Sequence, residues 1–566
     1  MEVQNIHDIV IVGGGAAGLR AALAAAEKNP KLSIALISKV YPVRSHTVSA
    51  EGGMAGVMRD DDSLESHAFD TIKGSDFLAD QDAVEFFVKE APREITDLAN
   101  LGCPFSREEN GDVAVRAFGG MTTKRTVYAA DKTGFYLLHS LFERSLKYEN
   151  IVRYDEWFVT RLIVKSSRCI GLIALSQKDG RCVAFSAKAV ILATGGAGKI
   201  FKFTTNGNIK TGDGMALAYK AGAALKDMEF VQFHPTGLVR TGILITEGAR
   251  GEGGYLVNKT GERFLQRYLP SKMELGPRDM ISRAIISEFE AGNGIETKDG
   301  LAVHLDLRHL GEKKIDERLP LVREISQEFA GLDPVKEPIP VRPVMHYFMG
   351  GVHTDINGAT TIEGLFAAGE VACVTINGAN RLGSNSLSEC LVFGRVAGER
   401  AAMYAETARQ TVPESAVMHD EERRLDDFLA QSGTERIALL RTEMQSAMDA
   451  YAGIIRSRDK LEKGIEKIGE LRERFKNIGL DDHSHVFNTE FIGCLELESM
   501  LFVAMAVLES ALRREESRGS HFRSDFEKRD DERFLKHQLV QCNGHDMIFK
   551  DAPVVITKWP PQARTY

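Results

Sequence analysis

Hydrophobic and polar residues near the N-terminus follow the order of a strand, a turn, a helix and a second strand. The apolar run IVIV leads into a glycine-rich turn, followed by an alanine-rich helical stretch and the run IALIS. Gly13, Gly15 and Gly18 place the spacing G-x-G-x-x-G between the first strand and the helix. Such glycines allow backbone amides to approach a pyrophosphate at the positive end of a helix. The pattern predicts a Rossmann-like, dinucleotide-binding βαβ unit.

Two later segments repeat the strand-then-glycine pattern. An apolar strand at residues 189–193 ends at Thr194 and Gly195, and Asp213 then opens an amphipathic helix. Far downstream, IEGLFAAGEVA places Glu370 after another strand, and a helix follows. A nucleotide domain contacted at its beginning, middle and far end implies that a second domain is inserted within it.

The pattern changes after residue 415, where glycine becomes rare and charged residues recur with helical periodicity. We therefore predict an α/β protein: a Rossmann-like FAD-binding domain with an inserted α+β capping domain, followed by a helical bundle and a small C-terminal extension. The predicted division is 1–239 and 346–414 for the FAD-binding domain, 240–345 for the capping domain, 415–518 for the helical domain and 519–566 for the C-terminal domain.

Composition and charge exclude several classes of protein. The net charge is −9 and no long basic tract occurs, so no nucleic-acid partner is expected. The N-terminus lacks the basic region of a secretory signal, and no run approaches the ~18 consecutive apolar residues of a membrane span. We expect no direct membrane span, so any attachment to a membrane would require another chain.

The cysteines argue against a metal centre. The chain has seven cysteines and no C-x-x-C pair, which is typical of reduced thiols in a cytosolic compartment. Neither an iron–sulfur cluster nor structural zinc is expected from this chain alone. We predict no metal site.

The residues after the second strand of the βαβ unit favour FAD over NAD. The acidic residue that binds the ribose of NAD is missing there, and Ser38 and Lys39 stand in its place. FAD remains possible if later segments supply the contacts, and the strands that precede Thr194 and Glu370 are candidates for this role.

The ordered motifs VGGGAAGLRAAL, RSHTVSAEGG, HPTG, LITEGARGEGG, GPRD, HYFMGG and GANRLGSNSL cover nearly the whole chain. In this order they closely resemble the flavoprotein subunits of succinate dehydrogenase and fumarate reductase. The resemblance implies FAD joined covalently to His46, and a link that raises the flavin potential. It also implies an iron–sulfur partner subunit, a membrane anchor with a quinone, and a position on the cytoplasmic face of the cell membrane.

The resemblance and the glycine motifs together give a set of expected FAD contacts. They are Gly13, Gly15, Ala16, Gly18, Ser38, Lys39, Ser45, His46, Thr47, Gly52, Gly53, Thr194, Gly195, Asp213, Glu370, Arg381, Ser386 and Leu387.

Residues from the inserted segment and from the returning flavin domain suit a four-carbon dicarboxylate. Arg381 has the fork geometry for one carboxylate, with His346 beside it. His234 and Thr246, with Glu247 nearby, suit the other, which predicts a cleft between domains. By resemblance these positions bind succinate or fumarate.

The catalytic proton is also assigned by resemblance. The resemblance implies that Arg278 transfers this proton and that Arg250 and Glu247 relay it. A guanidinium ordinarily stays protonated, so donation in the fumarate direction starts from its usual state. For Arg283, one turn further along, a salt bridge is the expectation.

Three other functions compete with this interpretation. L-aspartate oxidase shares the architecture but lacks the flavin-linked histidine, so RSHTV counts against it. A soluble, single-chain fumarate reductase would carry its own haem or flavin relay. A non-catalytic flavin-binding scaffold would be free to lose His234, Arg278, His346 and Arg381. By resemblance, Glu51 favours fumarate reduction. The sequence does not reveal the working direction of the reaction, the type of quinone, the membrane anchor or the oligomeric state.

Overall fold

The computed structural model of the protein describes residues 5–543 and 546–565. Its centre is a parallel five-stranded sheet, of which four strands are buried and mainly apolar and one edge strand is partly exposed. In spatial order these strands are Leu365–Ala367, Ala189–Leu192, Ile9–Val12, Ile34–Ser38 and Ile151–Asp155. Segments 170 residues apart or more thus become neighbours in one sheet, as a nucleotide domain with an insertion requires.

Helices cover this sheet. Ala16–Lys28 packs against Asn385–Thr407, because small residues on both helices permit close contact. The other helices of this part are Leu64–Gly74, Gln81–Asn100, Thr133–Ser145 and Asp213–Lys220. A second sheet contains Asn5–Ile6, Cys182–Ser186, Arg168–Ser176 and Trp157–Lys165, and a small third one contains Met54–Ala55, Thr126–Val127 and Val115–Arg116.

The inserted part has an antiparallel sheet and a core of its own. Its strands are Val231–Leu238, Ile339–Phe348, Gly300–Asp306 and Tyr255–Val257, with Ile295–Thr297 at the side. Its helices are Glu247–Gly251, Leu265–Tyr268, Arg278–Glu290, Glu312–Arg318 and Pro320–Ile325. The sheet therefore includes residues on both sides of the predicted range 240–345, and His234 and His346 lie on two paired strands of it.

Four helices form the predicted helical part: Ser415–Leu429, Ile437–Tyr451, Arg458–Phe475 and Thr489–Arg513. Within the described residues, Thr489–Arg513 is the one helix long and apolar enough to cross a membrane, yet 83% of its most apolar window is buried inside the protein. It packs against the two preceding helices and against Asp213–Lys220, which is the position of a core helix.

The C-terminal residues return to the part of the molecule that is predicted to bind FAD, the flavin-binding part. Lys536–Asn543 and Asp546–Pro553 extend a sheet that also contains Leu225–Lys226, Gly351–His353 and Ala372–Cys373. Phe522–Arg523 pairs with Ile455–Arg456, and a short helix occupies Asp531–Phe534. The predicted C-terminal extension therefore contains strands and is built into the molecule.

Candidate active site

A long cavity runs from the glycine turn of the central sheet to the inserted part. Nearly all predicted cofactor and substrate residues line it, although they come from segments spread from Gly13 to Leu387. Gly18 and Arg250 are the two predicted residues that do not line the cavity. A Cβ atom on Gly18 would lie 1.8 Å from the Gly13 carbonyl oxygen, so Gly18 serves the packing of helix on strand.

The first end of the cavity is shaped for a pyrophosphate. Gly13 has φ of +117°, and a Cβ atom there would lie 2.2 Å from the Ala193 carbonyl oxygen. Gly15 precedes the helix Ala16–Lys28 without a side-chain cap, so the first amides of that helix face the cavity. Thr47 Oγ1 accepts a hydrogen bond from the Ala16 amide at 3.2 Å.

Ser38 and Lys39 line the cavity beyond the glycine turn, and the Lys39 ammonium is engaged by carboxylates. Its Nζ atom lies 2.6 Å from Asp213 Oδ2 and 2.9 Å from Glu496 Oε1. Burial disfavours this charge, but the two carboxylates outweigh it and raise the pKa of Lys39. Glu496 lies on the helix Thr489–Arg513, far along the chain, and no motif in the sequence pointed to it.

Several polar atoms in the cavity wall lack a partner among the described residues. Ser45 Oγ and Thr194 Oγ1 are buried without a hydrogen bond. Glu370 pairs closely with Lys210 and accepts a hydrogen bond from the Phe348 amide at 3.2 Å. Buried polar atoms are normally satisfied, so unpartnered ones beside an uncapped helix point to a polar ligand. The wall therefore fits the FAD that the sequence predicts.

His46 stands in the middle of the cavity as an uncharged base. Burial first, and the Lys210 ammonium second, lower the pKa of His46 to about 3. Its Nδ1 atom accepts a hydrogen bond from the Gly207 amide at 3.4 Å. The imidazole is therefore neutral at physiological pH, as a nucleophile must be.

Glu51 also faces the cavity and is 6% exposed. Burial, followed by the nearby Asp131 carboxylate, raises the pKa of Glu51 well above its usual range, although Arg116 opposes the shift. Its Oε2 atom lacks a hydrogen-bond partner among the described residues. Burial therefore favours the protonated form of Glu51, which can donate a hydrogen bond into the cavity. Gly52 and Gly53 follow it along the same wall.

The second end of the cavity brings together the predicted substrate residues. His234, Thr246, Glu247, Arg278 and Arg381 are each at most 6% exposed there, and His346 is half-buried. The ring centroids of His234 and His346 are 5.2 Å apart. Burial and the Arg278 charge lower the pKa of both histidines well below the usual value. Both imidazoles are therefore neutral hydrogen-bonding groups.

Arg278 is held by a carboxylate on one side and an amide on the other. Its Nε and Nη2 atoms each lie 2.7 Å from Glu247 Oε2, and Nη1 donates to Gln232 Oε1 at 3.0 Å. The Gly119 amide donates to Glu247 Oε1 at 2.6 Å, an approach that a Cβ atom on Gly119 would block. Arg250 lies behind, with Nη2 3.7 Å from Glu247.

Arg381 is placed by residues that the sequence analysis did not single out. Its guanidinium lies over the Tyr347 ring, 4.3 Å from the centroid, and its carbonyl oxygen accepts a hydrogen bond from Gln232 at 2.7 Å. Its Nε atom is buried without a partner among the described residues. Gln232 lies two residues before His234 on one strand, and that same-face spacing is the signal that would have found it.

The charges at this end favour a dianion. Arg278 and Arg381 both line this end of the cavity. Glu247 pairs with Arg278 and lies 3.7 Å from Arg250, whereas Glu389 and Glu370 are the carboxylates near Arg381. Burial, then the neighbouring Arg278, lowers the pKa of Arg381 to about 10, which still leaves it charged at pH 7. Arg278 and Arg381, the two guanidinium groups at this end of the cavity, attract a ligand with two carboxylates.

Outside the cavity, Arg283 forms a salt bridge with Asp279 at 3.1 Å, as the sequence predicted, and donates to the Gly519 carbonyl at 2.8 Å. Within the part of the chain that the structure describes, no group of three or more histidine, cysteine or acidic side chains is placed to hold a metal ion. None of the seven cysteines forms a disulfide bond within the described residues.

Comparisons with known proteins agree with this site. A family model described as "FAD binding domain" matches residues 8–387, and one described as "Fumarate reductase flavoprotein C-term" matches residues 441–566. A fumarate reductase flavoprotein subunit from Mycobacterium tuberculosis is 57% identical over 99% of both chains. A succinate dehydrogenase flavoprotein subunit from Rickettsia bellii is 42% identical over 100% of this chain and 99% of that one. A solved variant of Escherichia coli quinol fumarate reductase has a TM-score of 0.97 at 50% identity, over 100% of this chain and 99% of that one.

Proposed function

Because this chain belongs to the family of fumarate reductase and succinate dehydrogenase flavoprotein subunits, we propose that its cavity holds FAD at the glycine end and a four-carbon dicarboxylate at the arginine end. The chain is an FAD-binding oxidoreductase of the CH–CH class that interconverts succinate and fumarate. One observation carries the site assignment: Arg278, Arg381, His234 and His346 converge at the end of the cavity opposite the glycine turn.

We propose that the first amides of helix Ala16–Lys28, with Ser45 and Thr194, hold the cofactor, and that His46 bonds covalently to it. Bound FAD supplies a two-electron acceptor and donor. The neutral imidazole of His46 supports the covalent link, because only the unprotonated nitrogen is nucleophilic. Burial, and then the charge of Lys210, keep that imidazole uncharged.

The substrate carboxylates bind to two different surfaces. Arg381 and His346 take one carboxylate, with the Arg381 fork supplying paired N–H donors. His234 and Thr246 take the other, and His234 is oriented because its Nδ1 accepts a hydrogen bond from the Thr236 amide at 3.2 Å. His346 is fixed in the same way by a contact of 2.9 Å between its Nδ1 and Thr205 Oγ1.

The Arg278 guanidinium donates the proton to the substrate carbon in fumarate reduction and accepts it in succinate oxidation. Glu247 Oε2 contacts both Nε and Nη2, so it provides the path by which the proton is replaced. Burial opposes the charged form of Glu247, but Arg278 and Arg250 outweigh it and lower its pKa. The carboxylate is therefore ionised and ready to accept and return a proton.

The buried site requires movement for exchange of substrate and product. Arg278 and Thr246 lie on the inserted part, whereas Arg381 and His46 lie on the flavin-binding part. We propose the domain division of the sequence analysis, with the strands Val231–Leu238 and Ile339–Phe348 at the hinge between the two parts. Closure of the insert then excludes water from the reaction.

Electrons leave through other chains in this proposal. The described residues contain no candidate metal cluster, and the related Escherichia coli structure is a quinol fumarate reductase. We infer an iron–sulfur partner subunit and a membrane anchor that exchanges electrons with quinone, with this chain peripheral on the cytoplasmic face. The resemblance at Glu51 favours fumarate reduction as the working direction.

Malonate tests the dicarboxylate site. With reduced viologen as the electron donor, we expect malonate to raise the KM for fumarate without changing kcat, since it bridges the same two surfaces. Replacing Arg381 by lysine is expected to weaken malonate binding about tenfold, because the paired hydrogen-bond donors are lost while the charge remains.

Butyrate, a monocarboxylate of similar length, is the matched control ligand. It leaves one end of the site unpaired, and we expect no competition at concentrations where malonate inhibits fully. Equal inhibition by butyrate and malonate, or noncompetitive inhibition by malonate, would contradict the two-carboxylate site.

A further inference from the structure

The last part of the chain, residues 554–565, forms an extended segment that we name the strap. It starts on the flavin-binding part, where the Val555 amide donates to Asp80 Oδ1 at 2.8 Å. The Gln81 side chain donates to the Trp559 carbonyl at 2.6 Å and accepts from three strap amides. Lys558 pairs with Glu65 at the surface. The strap is therefore fixed along the helices Leu64–Gly74 and Gln81–Asn100.

The far end of the strap leaves this surface and reaches the insert. Arg564 Nη2 lies 2.9 Å from Asp279 Oδ1, and Nη1 lies 3.1 Å from Asp279 Oδ2, which is a bidentate pair. Nη1 also lies 3.4 Å from Asp76 Oδ2, on the loop after Leu64–Gly74. One guanidinium thus joins a carboxylate of the insert to a carboxylate of the flavin-binding part.

Asp279 occupies a sensitive place. It is the second residue of the helix Arg278–Glu290 and directly follows Arg278. Its side chain is 0% exposed, and that of Arg564 is 8% exposed. Burial disfavours the charge on Asp279, but Arg564 and then Arg283 outweigh it and lower the pKa. A buried carboxylate that loses such a partner must shift, take up water or become protonated.

We propose that Arg564 is a positioning residue for the reaction: through Asp279 it fixes the first turn of the helix that carries Arg278, and it holds the insert against the flavin-binding part. The proposal rests on the proposed role of Arg278. Misplacement of a reacting group by about 1 Å can lower a rate about 100-fold, so loosening this turn acts on catalysis from outside the cavity.

The main carboxylate ligands do not depend on this contact. His346 and Arg381 lie on other elements, and His234 lies on the strand Val231–Leu238. Loss of the Arg564 contact should therefore affect the chemical step more than substrate binding. The same effect is not expected for the salt bridge of Lys558 and Glu65, because that salt bridge joins the strap to the flavin-binding part alone.

The test compares Arg564→Gln, Arg564→Lys and the control Lys558→Gln in the full-length, FAD-loaded chain. For Arg564→Gln we expect kcat for fumarate to fall about tenfold or more while KM changes less than about twofold. Amide hydrogen exchange in residues 278–290 should become about tenfold faster, with exchange in the central sheet unchanged. Arg564→Lys should recover part of both effects, and Lys558→Gln should resemble the unmodified protein.

The exchange measurement needs no turnover, so it separates this proposal from the proposed function. Unchanged amide hydrogen exchange at residues 278–290 in Arg564→Gln would overturn the proposed role of Arg564, whatever the activity of the variant. Faster exchange throughout the chain, with kcat and the unfolding temperature falling together, would also overturn it, because that pattern indicates general destabilisation. Faster local exchange with unchanged kcat would retain the mechanical contact but remove Arg564 from the reaction.

Discussion

Replacing Arg278 by alanine is expected to lower fumarate reduction and succinate oxidation by about 10⁴-fold or more, which corresponds to about 5 kcal/mol of barrier. Its guanidinium is held by Glu247 and Gln232 at the substrate end of the cavity. The change deletes the proposed proton donor and also strands Glu247 with Arg250, 3.7 Å away, as its remaining charged partner.

The measurement is kcat in both directions with artificial electron carriers, together with the flavin content of the purified protein. FAD should remain attached, since Arg278 lies at the opposite end of the cavity from the glycine turn. Arg278→Lys keeps a positive charge but loses the fork on Glu247, and we expect it to recover less than about 1% of the activity. Turnover by Arg278→Ala within tenfold of the unmodified protein would remove Arg278 from the mechanism.

A matched control comes from the surface of the same inserted part. Arg308 pairs with Asp306 at 2.7 Å, and its side chain is 52% exposed, far from any role in the cavity. Arg308→Ala removes an arginine and a salt bridge of the insert, yet kcat should stay within about twofold because exposed pairs contribute little. A loss in this variant comparable with that of Arg278→Ala would mean that the insert tolerates no arginine loss, and the catalytic argument would fail.

The glycine turn and its βαβ unit were predictable because their geometry is local. Gly13 needs a positive φ and close contact with Ala193, and only glycine meets both demands. The helical part was predictable for a similar reason, since periodicity within each helix decides which face is buried. The structure confirms both, and the comparisons confirm the family.

Other features depend on contacts between distant segments and leave no pattern in the sequence. Glu496 reaches Lys39 from a helix more than 450 residues further along the chain. Gly119 supports Glu247 only because a loop passes close to the insert. The strap is the extreme case, because the sequence predicts only a small C-terminal extension and the fold alone places Arg564 between Asp279 and Asp76.

Replacing His46 by serine is expected to leave FAD bound without a covalent link and to lower succinate oxidation about 100-fold or more, while fumarate reduction falls less than about tenfold. The cavity wall proposed to hold the cofactor does not depend on His46, because the start of helix Ala16–Lys28 remains in place. Loss of the proposed link is expected to lower the flavin potential, which disfavours electron removal from succinate more than electron delivery to fumarate. For a two-electron couple, each tenfold change in the equilibrium corresponds to about 30 mV.

Two measurements check this prediction. After acid precipitation, flavin should stay with the unmodified protein and be released from His46→Ser, and mass spectrometry of the tryptic peptide 45–59 should show the flavin adduct on His46. His485→Ser is the control, since His485 is exposed and lies outside the cavity. Equal losses in both directions would contradict the role of the link in setting the potential, because a cofactor that is merely misplaced slows oxidation and reduction alike. An unmodified His46 in the native protein would remove the link itself, and the neutral imidazole beside Gly207 would then be a hydrogen-bonding group alone.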